Sequence, residues 1–257
     1  MTRINKVFSG GKAFIPFVTA GDPSIAVTEQ LVYSMAEAGA DLIELGIPFS
    51  DPIAEGPVIQ EADNRALSGG VTTDDIFGMM CRVRKNCDIP VAFMTYINPI
   101  FTYGPEKFLL KCHEAGIDAI IVPDLPFEEK GELLPFCRKH GITLISMIAP
   151  TSGDRVRKIA SEAEGFVYCV SSMGVTGVRQ DIGSHVRGMV NLVKKVKDIP
   201  CAIGFGISAP EQAAAMAEFA DGVIVGSAVV KIVGQYGSSC VPHVADYVAR
   251  MKRALTC

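Results

Sequence analysis

The chain has 257 residues, 49% of them hydrophobic, and a formal net charge of −4. This length supplies one large core without a second domain, so we expect a single domain over residues 1–257. Without a basic excess, a long apolar segment or a signal sequence, the composition predicts a cytoplasmic protein with no nucleic-acid and no membrane partner. The eight cysteines have no zinc-like or CxxC spacing, which predicts reduced thiols and no metal site.

Short apolar segments rich in Val, Ile and Phe alternate with longer amphipathic segments along the chain. This alternation is typical of βα units that build a parallel sheet. Eight such segments favour an α/β fold of the closed kind, a (β/α)8 TIM barrel, over an open sheet. In chain order the predicted strands are 13–19, 42–45, 91–96, 119–122, 143–148, 166–170, 201–204 and 222–225.

Helix ends can also be predicted from the sequence. Gly39, Gly116 and Gly141 stand where helices are expected to end in a left-handed turn. Ser208 with Glu211 predicts a capping box at a helix start. The longest loops after strands are about 46–60 and 171–183, and since such loops build the active site of a barrel, we expect them to be catalytic.

Glu44 is the first catalytic candidate because it is a carboxylate within the apolar sequence Leu-Ile-Glu-Leu. Side chains alternate along a strand, so Glu44 shares a side with Leu42 and Gly46 while Ile43 and Leu45 face the helices. That placement directs the acid into the barrel mouth. The nearby strand ends offer almost no cation, so we expect a raised pKa for Glu44 rather than a structural ion pair.

The loop after this strand carries a second acid, Glu55, between Ala54 and Gly56. Three prolines stiffen the loop, and we expect it to fold Glu55 back over the mouth. A solvated loop charge remains an equal alternative for this residue on sequence grounds alone.

Glycines follow the last three predicted strands, in the sequences GVTG (174–177), GFGIS (204–208) and GS (226–227). Such glycines let backbone N–H groups approach an anion, and a helix starting near Ser227 would add its positive end. Barrels commonly hold phosphate at this place, although a single Gly-x-Gly is more often a tight turn. The predicted phosphate-binding residues are Gly177, Gly206, Gly226 and Ser227.

Three sequence motifs resemble those of a known family: FVTAGDP (17–23), ELGIPFSDP (44–52) and GFGIS (204–208). They resemble the tryptophan synthase α chain family, and the likeness extends from near the N-terminus to Lys231 and beyond. The resemblance implies retro-aldol cleavage of indole-3-glycerol phosphate to indole and glyceraldehyde 3-phosphate in L-tryptophan biosynthesis. Together with the apolar residues of the predicted mouth, it gives the substrate-binding candidates Phe17, Ile59, Met94, Tyr96, Tyr168, Thr176 and Phe205.

The resemblance also assigns roles. Glu44 matches the principal acid and base of the family, whereas Glu55 stands where the family usually has Asp, the group that receives the indole N–H. Ser172 stands in place of an Arg in the family's mobile loop, and Pro123 in place of a small apolar residue near the indole pocket. Loop closure and pocket shape are the properties that these departures affect.

The residue types agree with this chemistry independently. No lysine falls inside a predicted strand, which argues against a Schiff-base aldolase, and no His or Cys cluster suggests a metal-stabilised enolate. Protonation of indole at C3 instead makes it a competent leaving group, so we expect no cofactor.

By resemblance, a tryptophan synthase β subunit docks on the catalytic face of an α2β2 heterotetramer, with Asp51 and the Asn98-Pro99 turn at the contact. Three alternatives remain: a free-standing lyase that releases indole, a non-catalytic activator of a β subunit, and another phosphate-binding barrel enzyme. The lack of Lys and His at the strand ends disfavours an isomerase of the last kind.

Overall fold

The computed structural model describes residues 3–170, 182–204 and 206–255. Nine parallel strand segments form its centre. They are β1 Ala13–Thr19, β2 Ile43–Gly46, β3 Val91–Met94, β4 Ala119–Ile121, β5 Thr143–Leu144, β6 Ser146–Ile148, β7 Val167–Val170, β8 Cys201–Gly204 and β9 Gly222–Val225.

The strands are hydrogen-bonded in the order β5-β4-β3-β2-β1-β9-β8-β7-β6. The two ends of this order, β5 and β6, are halves of one segment separated only by Ile145. The first half pairs with β4 and the second with β7, and the N–H of Ile145 donates to the carbonyl of Ile120 at 2.9 Å. The sheet therefore curls round on itself, and the predicted eight-stranded barrel is confirmed.

Helices surround the barrel. Those in the described part of the chain are α1 Arg3–Lys6, α2 Ile25–Glu37, α3 Pro57–Ser68, α4 Thr73–Val83, α5 Ile97–Tyr103, α6 Pro105–Glu114, α7 Leu134–His140, α8 Arg155–Glu162, α9 Ile182–Val196, α10 Pro210–Ala217, α11 Ser227–Tyr236 and α12 Val241–Ala254. Short 3₁₀ turns add Phe127–Glu132, Pro150–Ser152 and Gly237–Ser239. None of the helices in these described ranges is long and apolar enough to cross a membrane.

Buried side chains form two layers, one inside the barrel and one between strands and helices. Leu42 belongs to the inner cluster, whereas Ile43 and Leu45 belong to the outer one. The predicted alternation around Glu44 is therefore confirmed.

Aspartates order the amino ends of the strands. Asp41 Oδ2 accepts from the N–H of Phe14 at 2.7 Å, and Asp118 Oδ2 accepts from that of Val91 at 2.9 Å. Each aspartate thus satisfies the first free N–H of the strand beside its own. Both also bind cations, Lys252 Nζ to Asp41 at 2.7 Å and Arg3 Nε to Asp118 at 2.7 Å.

Some local predictions were wrong. The predicted capping box of Ser208 and Glu211 does not form, because α10 begins one residue later than assumed and Gln212 Oε1 accepts from the N–H groups of Ser208 and Ala209. The Asn98-Pro99 segment is not a turn, since both residues lie in the first helical turn of α5.

Segment lengths also differ from prediction. The strand predicted over 91–96 ends at Met94, and Tyr96 becomes the N-cap of α5. The loop predicted to reach residue 60 ends at Gly56, because Pro57 is well suited to the first position of α3. In contrast, Gly39, Gly116 and Gly141 all have positive φ at helix ends, as predicted.

Candidate active site

A cavity of about 1120 Å³ opens at the carboxyl ends of the strands. Glu44 and Glu55 both line it, so the two predicted catalytic acids share one space. The other predicted site residues on its wall are Phe17, Ile59, Met94, Tyr168, Gly206, Gly226 and Ser227.

Glu44 lies on β2 between Phe17 of β1 and Ala92 of β3. Its side chain is buried, with a relative exposure of 1%, and neither carboxyl oxygen has a hydrogen-bond partner among the described residues. Burial, and then the charge of Glu55, raises the pKa of Glu44 from 4.5 to about 8. The acid therefore keeps its proton at neutral pH, as predicted from the lack of a cation.

Two glycines make room for aromatic rings beside this acid. A Cβ on Gly46 would lie 2.6 Å from the ring of Phe17, and one on Gly204 would lie 2.4 Å from the Tyr168 hydroxyl. Contacts this short are not tolerated, so both strand ends need glycine for the rings to occupy the mouth. Burial and the nearby Glu44 also raise the pKa of Tyr168, which keeps its phenol protonated.

Glu55 is held by the loop itself rather than by a regular element. The side-chain amide of Gln60 donates to the Glu55 carbonyl at 2.8 Å, and the N–H of Ala54 donates to the Tyr96 hydroxyl at 3.0 Å. The Glu55 carboxyl interacts with Tyr96 and with Asp63, and burial raises its pKa. Tyr96 thus supports the loop that carries the acid, while the cavity wall is formed by other residues.

Asp63 was missed by sequence reasoning. It lies on the inner side of α3, with a relative exposure of 4%, and its carboxyl group adjoins that of Glu55. The only sequence signal is its position: Asp63 lies on the same helix face as Ala62 and Ala66, the small residues that α3 buries. Such a position usually holds an apolar residue, so an acid there indicates either a partner or a function.

The predicted anion site lies at the ends of β8 and β9, which follow β1 on the side away from β2. Gly226 is the N-cap of α11, which starts at Ser227 as expected, so the first N–H groups of this helix are free to bind an anion. Gly206, with φ +76°, lines the same region. Lys231, one turn into α11, also lines the cavity and adds a cation that the sequence reasoning did not include.

Several predicted residues fall outside the described part of the chain. They are Ser172, Thr176, Gly177 and Phe205, together with most of the loop 171–183. Pro123 is described, and its half-buried side chain lines the cavity at the end of β4. Within the described ranges, no group of three or more His, Cys, Asp or Glu side chains could hold a metal ion.

The predicted partner residues lie at the same end of the barrel. Asp51, on the loop after β2, and Asn98, in the first turn of α5, are exposed, and Pro99 beside Asn98 is half-buried. Ile53 and Phe101, two large apolar residues with relative exposures of 79% and 46%, belong to the same two segments.

The fold and the site together define a class: a (β/α)8 barrel with two buried acids at its mouth and, two strands away, a helix N-terminus suited to phosphate. The family model of the tryptophan synthase alpha chain matches residues 5–255. The chain belongs to this family.

Individual relatives agree with this assignment. The chain is 46% identical to the tryptophan synthase alpha chain of Lacticaseibacillus casei, over 91% of this chain and 88% of the relative. It is 45% identical to that of Thermoanaerobacter sp. (strain X514), over 99% and 100%. Among solved structures, tryptophan synthase subunit alpha from Legionella pneumophila str. Paris superposes with a TM-score of 0.91 at 36% identity, covering 100% of this chain and 99% of that one.

Proposed function

We propose that this protein is a lyase of L-tryptophan biosynthesis that cleaves indole-3-glycerol phosphate to indole and glyceraldehyde 3-phosphate. Family membership supports the reaction, and one observation of the site carries it: Glu44 is a buried acid with a pKa of about 8 at the mouth of the cavity. An acid that is still protonated at neutral pH can donate the proton that the reaction needs.

The bond changes follow from that proton. Glu44 protonates C3 of the indole ring, which places positive charge on the ring nitrogen. The Glu44 carboxylate so formed then accepts the proton of the hydroxyl on the adjacent glycerol carbon. As that carbonyl forms, the carbon–carbon bond breaks, its electrons return to the indole ring, and Glu44 is again protonated for the next cycle.

Glu55 stabilises the intermediate between these steps. In its ionised form it accepts a hydrogen bond from the indole N–H and opposes the developing positive charge. The extra methylene relative to the usual Asp lengthens the reach of the acid, while Tyr96 and the Gln60 contact restrain the loop behind it. The role therefore depends on loop geometry.

The rest of the cavity positions the substrate. Phe17, Met94, Ile59 and Tyr168 offer an apolar surface for the indole ring, and the backbone N–H groups around Gly206, Gly226 and Ser227 offer an anion site for the phosphate. Phosphate binding far from the reacting bond provides orientation that the chemical step can use. The loop after β2, which ends at Gly56, and the segment 171–183 are the proposed catalytic loops of one domain.

For the partner, we propose a tryptophan synthase β subunit that binds at the mouth and receives indole directly, in an α2β2 complex. The exposed Asp51, Asn98, Ile53 and Phe101 at this end of the barrel support a docking face there. Tryptophan synthase of Mycobacterium tuberculosis contains a chain similar to this one at 32% identity, with a TM-score of 0.90 over 100% of this chain and 99% of that one. The seven described cysteines form no disulfide, which supports a cytoplasmic location.

Steady-state indole formation from indole-3-glycerol phosphate, with and without a β subunit, tests the proposal. We expect weak activity alone and substantial stimulation in the complex, since coupling of this kind is typically worth about 1 to 3 kcal/mol. An unchanged rate together with no complex by sedimentation would identify a free-standing lyase. A complex that stimulates the β subunit without any indole release would identify a non-catalytic activator.

A further inference from the structure

The proposed reaction uses Glu44 and Glu55 but gives no task to Asp63, a third acid at the same mouth. Asp63 is almost fully buried, at 4% relative exposure, on the face of α3 that packs against the barrel. Its carboxyl group faces that of Glu55, and the buried hydroxyl of Thr19 at the end of β1 adjoins it. A buried acid in contact with a catalytic candidate needs a physical explanation.

The charged groups around Asp63 do not neutralise it. Asp22, after β1, faces it as a second negative charge. Arg65, two residues further along α3, forms an ion pair with Asp22 instead. The two carboxyl oxygens of Asp22 accept hydrogen bonds from Arg65 Nε and Nη2 at 2.8 Å each. The remaining neighbour, Glu55, is itself an acid whose charge also acts on Glu44.

Two buried carboxyl groups in contact cannot both ionise easily. Burial raises the pKa of both, and the neighbouring Glu55 raises that of Asp63 further, to about 8. Because loss of the first proton opposes loss of the second, such a pair favours a state with one proton shared between its two carboxyl groups. A hydrogen bond between a carboxylic acid and a carboxylate is charge-assisted, and it is shorter and stronger than a neutral one.

The Tyr96 hydroxyl adjoins Glu55 on another side. Because the Tyr96 oxygen accepts from the N–H of Ala54 at 3.0 Å, its own proton is free to point elsewhere. The Glu55 carboxyl is the group that this hydroxyl faces. The Glu55 carboxyl thus lies between the Tyr96 hydroxyl and the Asp63 carboxyl, and its buried Oε2 has no other hydrogen-bond partner among the described residues.

We propose that Asp63 is a positioning residue for Glu55: it retains the shared proton and donates a hydrogen bond that holds the Glu55 carboxylate over the cavity in its ionised form. This inference rests on the proposed function for its catalytic consequence, but the shared proton itself does not depend on it. It also explains how a Glu, longer and more flexible than the usual Asp, can be held at this position.

Two substitutions separate hydrogen bonding from charge. Asp63→Asn keeps a hydrogen-bond donor of the same shape but cannot ionise, whereas Asp63→Leu can neither donate a hydrogen bond nor ionise. We expect Asp63→Leu to lower kcat about 10- to 100-fold with KM changed less than about threefold, because the acid is misplaced only for the chemical step. Asp63→Asn should restore kcat to within about threefold of wild type at pH 7. Glu61→Gln, an exposed acid on the same helix, is the matched control.

The pH profile provides a readout that a merely structural role would not change. Above about pH 8 the wild type loses two protons that activity needs, one from Glu44 and one from the acid pair. Its activity should then fall by up to about 100-fold per pH unit, but by only about tenfold per unit in Asp63→Asn. Carboxyl ¹³C NMR should show an alkaline titration step of the pair that disappears in Asp63→Asn.

The outcomes separate the two proposals. If wild type forms no indole with or without a β subunit, the proposed function fails, and the NMR titration still tests the shared proton. If wild type is active but Asp63→Leu has the same kcat and pH profile, the positioning role is wrong. It is equally wrong if Asp63→Asn is as impaired as Asp63→Leu, or if the pair shows no alkaline titration step. If Asp63→Leu does not fold, the pH profile of activity and the NMR titration of Asp63→Asn test the positioning role on their own.

Discussion

Replacing Glu44 with glutamine should make the protein less active and more stable, with both effects arising from the same buried carboxyl group. The amide has nearly the shape of a protonated carboxyl but cannot transfer a proton or ionise. We therefore expect cleavage of indole-3-glycerol phosphate to fall by about two to four orders of magnitude, because general acid and base catalysis is lost. Folding should be intact, since the side chain has no hydrogen-bond partner to lose among the described residues.

The stability change follows from proton linkage. Unfolding lowers the pKa of Glu44 from about 8 to its ordinary 4.5, so the unfolded state releases a proton that the folded state keeps. Between pH 4.5 and 8, each unit of rising pH therefore destabilises the wild type by about 1.4 kcal/mol through this residue. The penalty is absent below pH 4.5 and reaches about 3 kcal/mol at pH 7. Glu44→Gln lacks this pH-dependent destabilisation because its amide does not ionise.

Urea denaturation at pH 5, 6 and 7 measures this difference. The free energy of unfolding of Glu44→Gln should exceed that of wild type by an amount that grows with pH, towards about 3 kcal/mol at pH 7. Glu132→Gln, at an exposed position in the 3₁₀ turn before α7, is the control and should show no such growth. A difference that stays constant with pH would refute the reasoning that burial keeps Glu44 protonated.

Three further predictions concern the glycines, the phosphate site and the partner face. Gly204→Ala should displace Tyr168 and destabilise the fold by about 1 to 3 kcal/mol in urea denaturation, whereas Gly188→Ala, with open space around it, should not. In a crystal soaked with glycerol phosphate, the phosphate should bind the backbone N–H groups of Gly177, Gly206, Gly226 and Ser227. Phosphate density elsewhere would contradict the assignment. Asp51→Ala should reduce stimulation by a β subunit more than basal cleavage, and equal loss of both in a β titration would refute a contact role.

The sequence was most informative where one physical rule dominates. Alternation along a strand placed Glu44 inside the barrel, and the absence of a nearby cation predicted its raised pKa. The helix start at Ser227 followed from a glycine after a strand, and the structure confirms it. These predictions needed only neighbouring residues in the chain.

Long-range contacts explain what the sequence could not predict. Asp63 is in contact with Glu55 because α3 turns back along the mouth after Pro57, and the chain around Asp63 gives no sign of this. The failed capping box at Ser208 has a local cause: Gln212, one residue beyond Glu211, competes for the same N–H groups. Tyr96 was predicted on the cavity wall, yet its place at the start of α5 directs its hydroxyl to the loop carrying Glu55.

Acids near the strand ends differ in their partners, and this difference separates structure from chemistry. At the amino ends of the strands, Asp41 and Asp118 each have both a strand N–H and a cation as partners. At the carboxyl ends, the buried Asp22 is also paired, with Arg65, but Glu44 has no partner among the described residues and Asp63 faces other acids. Burying unpaired acids is unfavourable for folding, so folding alone cannot account for them. A mouth that keeps protons on such groups at neutral pH is suited to a reaction that begins by donating one.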